Sequence, residues 1–346
     1  MKKNIIFFLV AIFVSITLIY FVFDRIGSEE IWEAFLSFSL FGVFSGILLT
    51  ALISFLGALR WKFILKDRGY EIPTKKIISP WIAGFGMSYF TPFALFGGEA
   101  FRAYILNKRF SVSWGKAIVS IIIDKILDGS IFFLTIIFGI IFFLFEAFIF
   151  PLKLWMIILI LFFPIGGISF FYFKAFKGES MVGLIKKPLE KFTRGSLRKE
   201  IISNEKDIFS FFNIKNENMK KSVALSFLKG IVNWLRSLSI LWFLGIKTSA
   251  VNSFITVAFT NLAYIFPLPA AIGSHEALQA LFFPSLGLLA GSAVAFTLIL
   301  RAFDTAIGIL GIFVILKFGT GWIGKNTNDD DLLSKVKKTA TDSKKS

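Results

Sequence analysis

The 346-residue chain contains no cysteine and a single histidine, His275. The first absence excludes disulfides, thiolate metal sites and a cysteine nucleophile, and the second excludes a multi-histidine metal centre within one chain. No metal and no cofactor are therefore expected. Charge is also scarce, at 17% of residues, and acidic charge scarcest, with 22 Asp and Glu against 38 Lys and Arg. What remains is apolar: 56% of residues are hydrophobic and mean hydropathy is +0.76. Such a composition leaves little room for a water-soluble domain and points to a polytopic membrane protein. The formal charge of +16 does not argue for nucleic acid, because the basic residues gather between the apolar runs, where membrane topology accounts for them.

Asn4 to Phe23 is uncharged and follows Lys2 and Lys3. It is long enough to cross a hydrocarbon core of roughly 30 Å as a helix. No small-x-small cleavage site follows before Asp24, so it reads as a retained span rather than a signal peptide. Phe35 to Leu59 is a second uncharged run, ending in Arg60, Lys62, Lys66 and Arg68, which places that end in the cytoplasm by charge bias. Further spans are expected at about 117–147, 153–173, 222–244 (carrying Lys229 and Arg236) and 291–316. Residues 174–221 hold 12 Lys and Arg against 6 Asp and Glu and read as a basic cytoplasmic linker, with an amphipathic stretch on the membrane surface as the alternative. The organisation expected is 1–173 as a first repeat with an adjoining span, 174–221 as linker, 222–318 as a second repeat, and 319–346 as a polar, disordered tail. Both termini fall in the cytoplasm of a multi-pass cell-membrane protein.

Ile78 to Gly98 and Val251 to Ser274 are apolar yet carry helix breakers: Pro92, Gly97 and Gly98 in one, Pro267, Pro269 and Gly273 in the other. Proline lacks a donor and clashes with the preceding turn, so both segments should break within the membrane as re-entrant elements. Pro92, Glu99, Ala100 and Ala103 recur 177 residues later as Pro269, Glu276, Ala277 and Ala280. The same offset carries the apolar-run charge Asp124 onto Arg301. Basic residues flank the first broken segment on both sides, whereas the second begins from the opposite face. The expected fold is all-α, with an inverted internal repeat and two broken or re-entrant segments.

Asp124, Lys125 and Asp128 interrupt one apolar run, and Arg301 and Asp304 another. Each charge near the bilayer centre costs about 2.5–3.5 kcal/mol on insertion scales, so these side chains line a polar cavity or pair across the bundle. Glu99 and Glu276 sit where helical periodicity resumes after a breaker. They either cap amide donors locally or, with Arg102 and Arg301, help hold a polar head group at the broken helix ends. His275 is a polar filler or a proton-coupling group. Tyr89, Tyr104 and Trp114 are weaker site candidates, since interfacial belts account for most aromatics here. Gly97-Gly98 lacks the Lys/Ser and strand context of a phosphate loop.

The run Pro92 to Gly98-Glu99-Ala100-Phe101-Arg102-Ala103-Tyr104, then Ser113 and Asp124-Lys125-Ile126-Leu127-Asp128, resembles the flippase-like transmembrane region of lysylphosphatidylglycerol synthases. So does Pro267-Leu-Pro269-Ala-Ala-Ile-Gly273-Ser-His-Glu276-Ala277 followed by Arg301, and the resemblance extends over most of residues 5–318. It implies helical lipid handling, in the best-understood members the movement of an aminoacylated phospholipid between leaflets. The chain departs by lacking a soluble aminoacyl-transfer domain and by having Asp124-Lys125 where many relatives have Glu-Arg. Lipid translocation is the expected function, with Glu99, Arg102, Asp124, Lys125, Asp128, Glu276, Arg301 and Asp304 as the translocation site. The expected partners are lipids with anionic or zwitterionic head groups. The alternatives are a lipid-modifying enzyme, with Asp124 and Asp128 able to hold a divalent ion, and a noncatalytic partner of an envelope lipid or glycan synthesis enzyme.

Overall fold

The computed structural model describes residues 13–18, 20–22, 24, 28–91, 97–146, 165–167, 169–170, 173, 207–266 and 268–342. Pro92, Pro267, most of the 153–173 span and linker residues 174–206 lie outside them. Among the described residues the chain is helical: α1 (Ser28–Leu36), α2 (Leu40–Asp67), α3 (Thr74–Phe90), α4 (Glu99–Phe110), α5 (Trp114–Glu146), α6 (Glu217–Phe243), α7 (Ala250–Ala263), α8 (Ser274–Phe282) and α9 (Ala290–Asp342). Four stretches are long and apolar enough to cross a membrane: α2, α5, α6 and Ala290–Lys317 of α9. Their outward faces carry large apolar side chains, among them Leu40, Phe41, Phe44, Phe138, Trp242 and Phe313. Helices that satisfy their own backbone and turn apolar side chains outward suit lipid rather than water as solvent.

Helix α2 starts where the Ser39 hydroxyl accepts the Gly42 N–H (3.2 Å) and continues past the uncharged run. No breaker intervenes before Gly69, whose φ of +89° favours glycine. Arg60, expected as a cytoplasmic flank, is therefore an interior helical residue only 1% exposed. Helix α9 runs from Ala290 to Asp342, with its apolar part ending at Lys317. At the end of the linker, Phe211 and Phe212 are buried beside Trp61 and Leu65, and Asn216 donates to Asp67 (2.8 Å). This part of the linker is packed against the bundle.

The broken segments form two helical hairpins. In the first, α4 returns along α3: the Gly98 N–H donates to Ser88 (2.9 Å), and the Arg102 side chain lies over Gly84. The hairpin's two ends meet beside the end of α2, where the Ser113 N–H donates to Tyr70 (3.3 Å) and Lys116 to the Arg68 carbonyl (3.2 Å). In the second, α8 returns along α7, with Gln279 Nε2 donating to the Thr256 carbonyl and the Thr260 hydroxyl (both 2.9 Å). Its ends lie with Leu286 and Val251 in one apolar cluster. Helices α2 and α6 pack along one another in opposite directions, with Ser45 against Ser239 (2.7 Å) and Arg60 against Ser226 (3.2 Å). The first hairpin opens at the end of the bundle where α2 finishes, and the second at the end where α6 finishes.

The helices correspond at nearly the sequence offset. Leu40 and Glu217 open α2 and α6, 177 residues apart, and Trp114 and Ala290 open α5 and α9, 176 apart. Packing follows the same exchange, with α3 along α9 and α7 along α5. The α3–α9 crossing relies on glycine. A Cβ on Gly86 would lie 2.5 Å from the Gly308 carbonyl oxygen and 3.0 Å from Gly311 Cα, a close approach that membrane bundles obtain from small residues.

Candidate functional site

The two breaks place Glu99 and Glu276 alike. Glu99 sits in the first turn of α4, where its Oε2 accepts the Gly97 N–H (2.6 Å) and its Oε1 pairs with Lys125 Nζ (2.7 Å). Glu276 sits in the first turn of α8, where its Oε2 accepts the Gly273 N–H (2.9 Å) and its Oε1 pairs with Arg301. Each carboxylate thus satisfies a donor at a helix start and is tied to a cation on the next long helix. At the second break, Pro269 opens a 3-10 turn and Gly273 takes a φ of +83°.

The sequence left Asp124 and Asp128 without partners, and the fold supplies them. Arg60 Nε donates to Asp124 Oδ1 (2.8 Å) and its Nη1 to Asp128 Oδ1 (2.7 Å). Arg102 Nη2 donates to the other oxygen of Asp124 (2.8 Å), and its guanidinium carbon lies 3.8 Å from the Trp61 ring centroid. Lys229 Nζ donates to Asp128 Oδ1 (2.7 Å), the oxygen that Arg60 also uses. These oxygens face guanidinium and ammonium groups, so the divalent-ion alternative would require displacing them. In the second half of the chain Arg236 donates to Asp304 (2.7 Å), Asn233 (3.0 Å) and, across to α2, Thr50 (3.1 Å), and Tyr264 donates to Asp304 (3.3 Å).

A cavity of about 1650 Å³ opens between these elements. Glu99, Arg102, Lys125, Asp128 and Asp304 line it, joined by Lys229, Asn233, Arg236, Ser88, Tyr89 and Tyr264. Trp81, Phe85 and Tyr89, one helical turn apart on α3, stack in a row along its wall (centroids 6.0 and 5.7 Å apart). Trp114 also borders it. The sequence-predicted residues divide. Asp124 lies behind Arg102, while Glu276, Arg301 and His275 are packed away from the cavity. His275 is 1% exposed, its ring edge-on to Tyr264 with centroids 4.4 Å apart.

Sequence reasoning missed Arg60, which resembled a flanking charge, and noted Lys229 and Arg236 without a role. Their signal was present: with Asn233 they recur at i, i+4 and i+7, which is one face of a helix.

These features define a multi-pass helical membrane protein with a half-open, mostly apolar cavity into whose wall several charged side chains are set. Residues 8–311 match the family described as the lysylphosphatidylglycerol synthase TM region, and the chain belongs to that family. It is also similar to a UPF0104 membrane protein of Methanocaldococcus jannaschii, with 25% identity over 318 residues, 88% of this chain and 94% of the relative. A UPF0104 membrane protein of Methanothermobacter thermautotrophicus is 24% identical over 85% of this chain and 90% of its own. One from Pyrococcus horikoshii is 21% identical over 88% and 96%.

Proposed function

We propose that the protein is a lipid translocase that moves a polar-headed phospholipid or glycolipid between leaflets. The observation that carries this reading is the cavity: an interior of about 1650 Å³ whose walls join charged side chains to apolar and aromatic ones. A head group would exchange its water for the charged wall while its acyl chains stay in lipid. Charged side chains are expensive in a membrane interior and commonly mark a substrate path. Family membership supports a lipid-related role.

We read the two halves as an inverted repeat and the two hairpins as re-entrant elements that enter from opposite faces. Support comes from the shared helix offset and from the hairpins' opposite openings. Movement of one repeat against the other would give the head group alternating access. The end where α2 finishes is rich in Lys and Arg and is assigned to the cytoplasm of the cell membrane, together with both termini. A lipid- or glycan-synthesis enzyme is the partner class that would supply or consume the cargo.

The test is reconstitution of the full chain into liposomes carrying acyl-labelled lipids in both leaflets, followed by an external quencher. Accessibility beyond the outer-leaflet fraction in sealed vesicles, absent from protein-free vesicles and reduced by Glu99→Ala, is the expected result. Failure of folded protein to move any lipid, native lipids included, would overturn the proposal.

A further inference from the structure

Among the described residues the interior charges around the cavity do not balance, and the imbalance has a location. Glu99 pairs with Lys125, Asp304 with Arg236 and Glu276 with Arg301. The remaining cluster is different: Arg60, Arg102 and Lys229 share the two carboxylates of Asp124 and Asp128. Among the described residues, this cluster therefore carries one positive charge more than its carboxylates offset. Arg60 is sealed behind the wall, whereas Arg102 and Lys229 both border the cavity.

The two cavity-facing cations converge on one stretch of α3. The Arg102 side chain lies over Gly84, and Lys229 Nζ is 5.7 Å from the ring centroid of Trp81, three residues earlier. Arg102 is 5% exposed, and its buried Nε has no hydrogen-bond partner. A buried donor without an acceptor is costly, and in a low-dielectric wall an excess cation attracts a compensating anion strongly. A phosphate offers both the missing charge and acceptor oxygens in the geometry that guanidinium groups favour.

From this charge count we infer that the cavity selects a head group of net negative charge, seating its phosphate against Arg102 and Lys229, and disfavours a lysylated head group. The phosphodiester of phosphatidylglycerol carries one negative charge. Esterification with lysine adds two ammonium groups and makes the head group a net cation, which the surplus at Lys229 repels. This inference rests on the translocase reading and narrows its substrate class.

The experiment uses the full chain in liposomes with acyl-labelled phosphatidylglycerol, phosphatidylcholine or lysylphosphatidylglycerol, so that the head group itself is unmodified. The expected order of initial rates is phosphatidylglycerol first and lysylphosphatidylglycerol last, separated by at least about tenfold, the equivalent of ~1.4 kcal/mol. Lys229→Gln should slow phosphatidylglycerol and narrow its lead over phosphatidylcholine, while Lys229→Arg, which keeps the charge, should preserve the order. If Lys229→Gln does not fold, the wild-type head-group series and Lys229→Arg decide the matter. Lysylphosphatidylglycerol moving as fast as phosphatidylglycerol would overturn the inference and leave translocation standing. Movement of no lipid would overturn both. Sealed vesicles loaded with sn-glycerol 3-phosphate or inorganic phosphate form the last arm: protein-dependent release of either, with no head-group preference among lipids, would assign the cations to a soluble anion instead.

Discussion

Glu99 and Glu276, 177 residues apart, make the same two bonds: one oxygen to a backbone N–H just before the carboxylate, the other to a cation on the next long helix. Their surroundings differ. The Glu99 side chain is 27% exposed, on the cavity wall, and that of Glu276 is 1% exposed, away from it.

Glu99→Gln should therefore lower lipid movement with a small change in thermal stability, and Glu276→Gln should do the reverse. Removing one partner of a buried pair strands the other charge, at a cost of about 3–5 kcal/mol. Thermal unfolding of detergent-solubilised protein, run beside the liposome assay, separates the two effects. Equal unfolding temperatures for the two variants would count against the division.

Asp124→Asn removes the carboxylate that Arg60 and Arg102 share. Destabilisation of about 3–5 kcal/mol is expected, larger than for Glu99→Gln. Stability close to wild type would mean that Asp124 is not the anchor its hydrogen bonds describe.

Gly86→Val would push a side chain into the Gly308 carbonyl and Gly311 backbone, which cannot rotate aside. Overpacking of this kind costs about 1–3 kcal/mol, and α3 must separate from α9. Gly129→Ala, whose Cβ meets nothing within 4 Å, should be tolerated or slightly stabilising. Thermal unfolding of the two variants is the comparison.

Because the sequence has no cysteine, Ser113→Cys and Ser249→Cys each introduce a single thiol, at exposed positions beside the open ends of the first and second hairpins. A membrane-impermeant maleimide should label them from opposite sides of the membrane, Ser113→Cys from the cytoplasmic side. Labelling from one common side would remove the opposed arrangement of the hairpins.

The four spans seen among the described residues were legible because apolar runs of that length have few other uses, whereas the expected spans at 4–23 and 153–173 lie largely outside those residues. Arg60 was not legible as an interior residue. It follows an uncharged run, where topology alone accounts for a basic residue, and its burial depends on α2 continuing to Asp67 and packing on α6. The spacing of Asp124 and Asp128 put both on one face, but it could not say that Arg60, Arg102 and Lys229 would converge there from three other helices. The offset that equates Glu99 with Glu276 likewise carries no information about which of them the cavity reaches. That depends on how the two halves of the chain pack against each other.

The charge cluster also bears on the order in which the protein can be built. Among the described residues up to Glu146, the cations around the cavity, Arg60, Arg102 and Lys125, meet the carboxylates Glu99, Asp124 and Asp128 in equal number. These interior charges of the first half are therefore matched within that half. Lys229 arrives only when α6 is threaded beside α2, and it brings the extra charge to a carboxylate that Arg60 already holds. Assembly of the second half is thus the step that electrically arms the cavity.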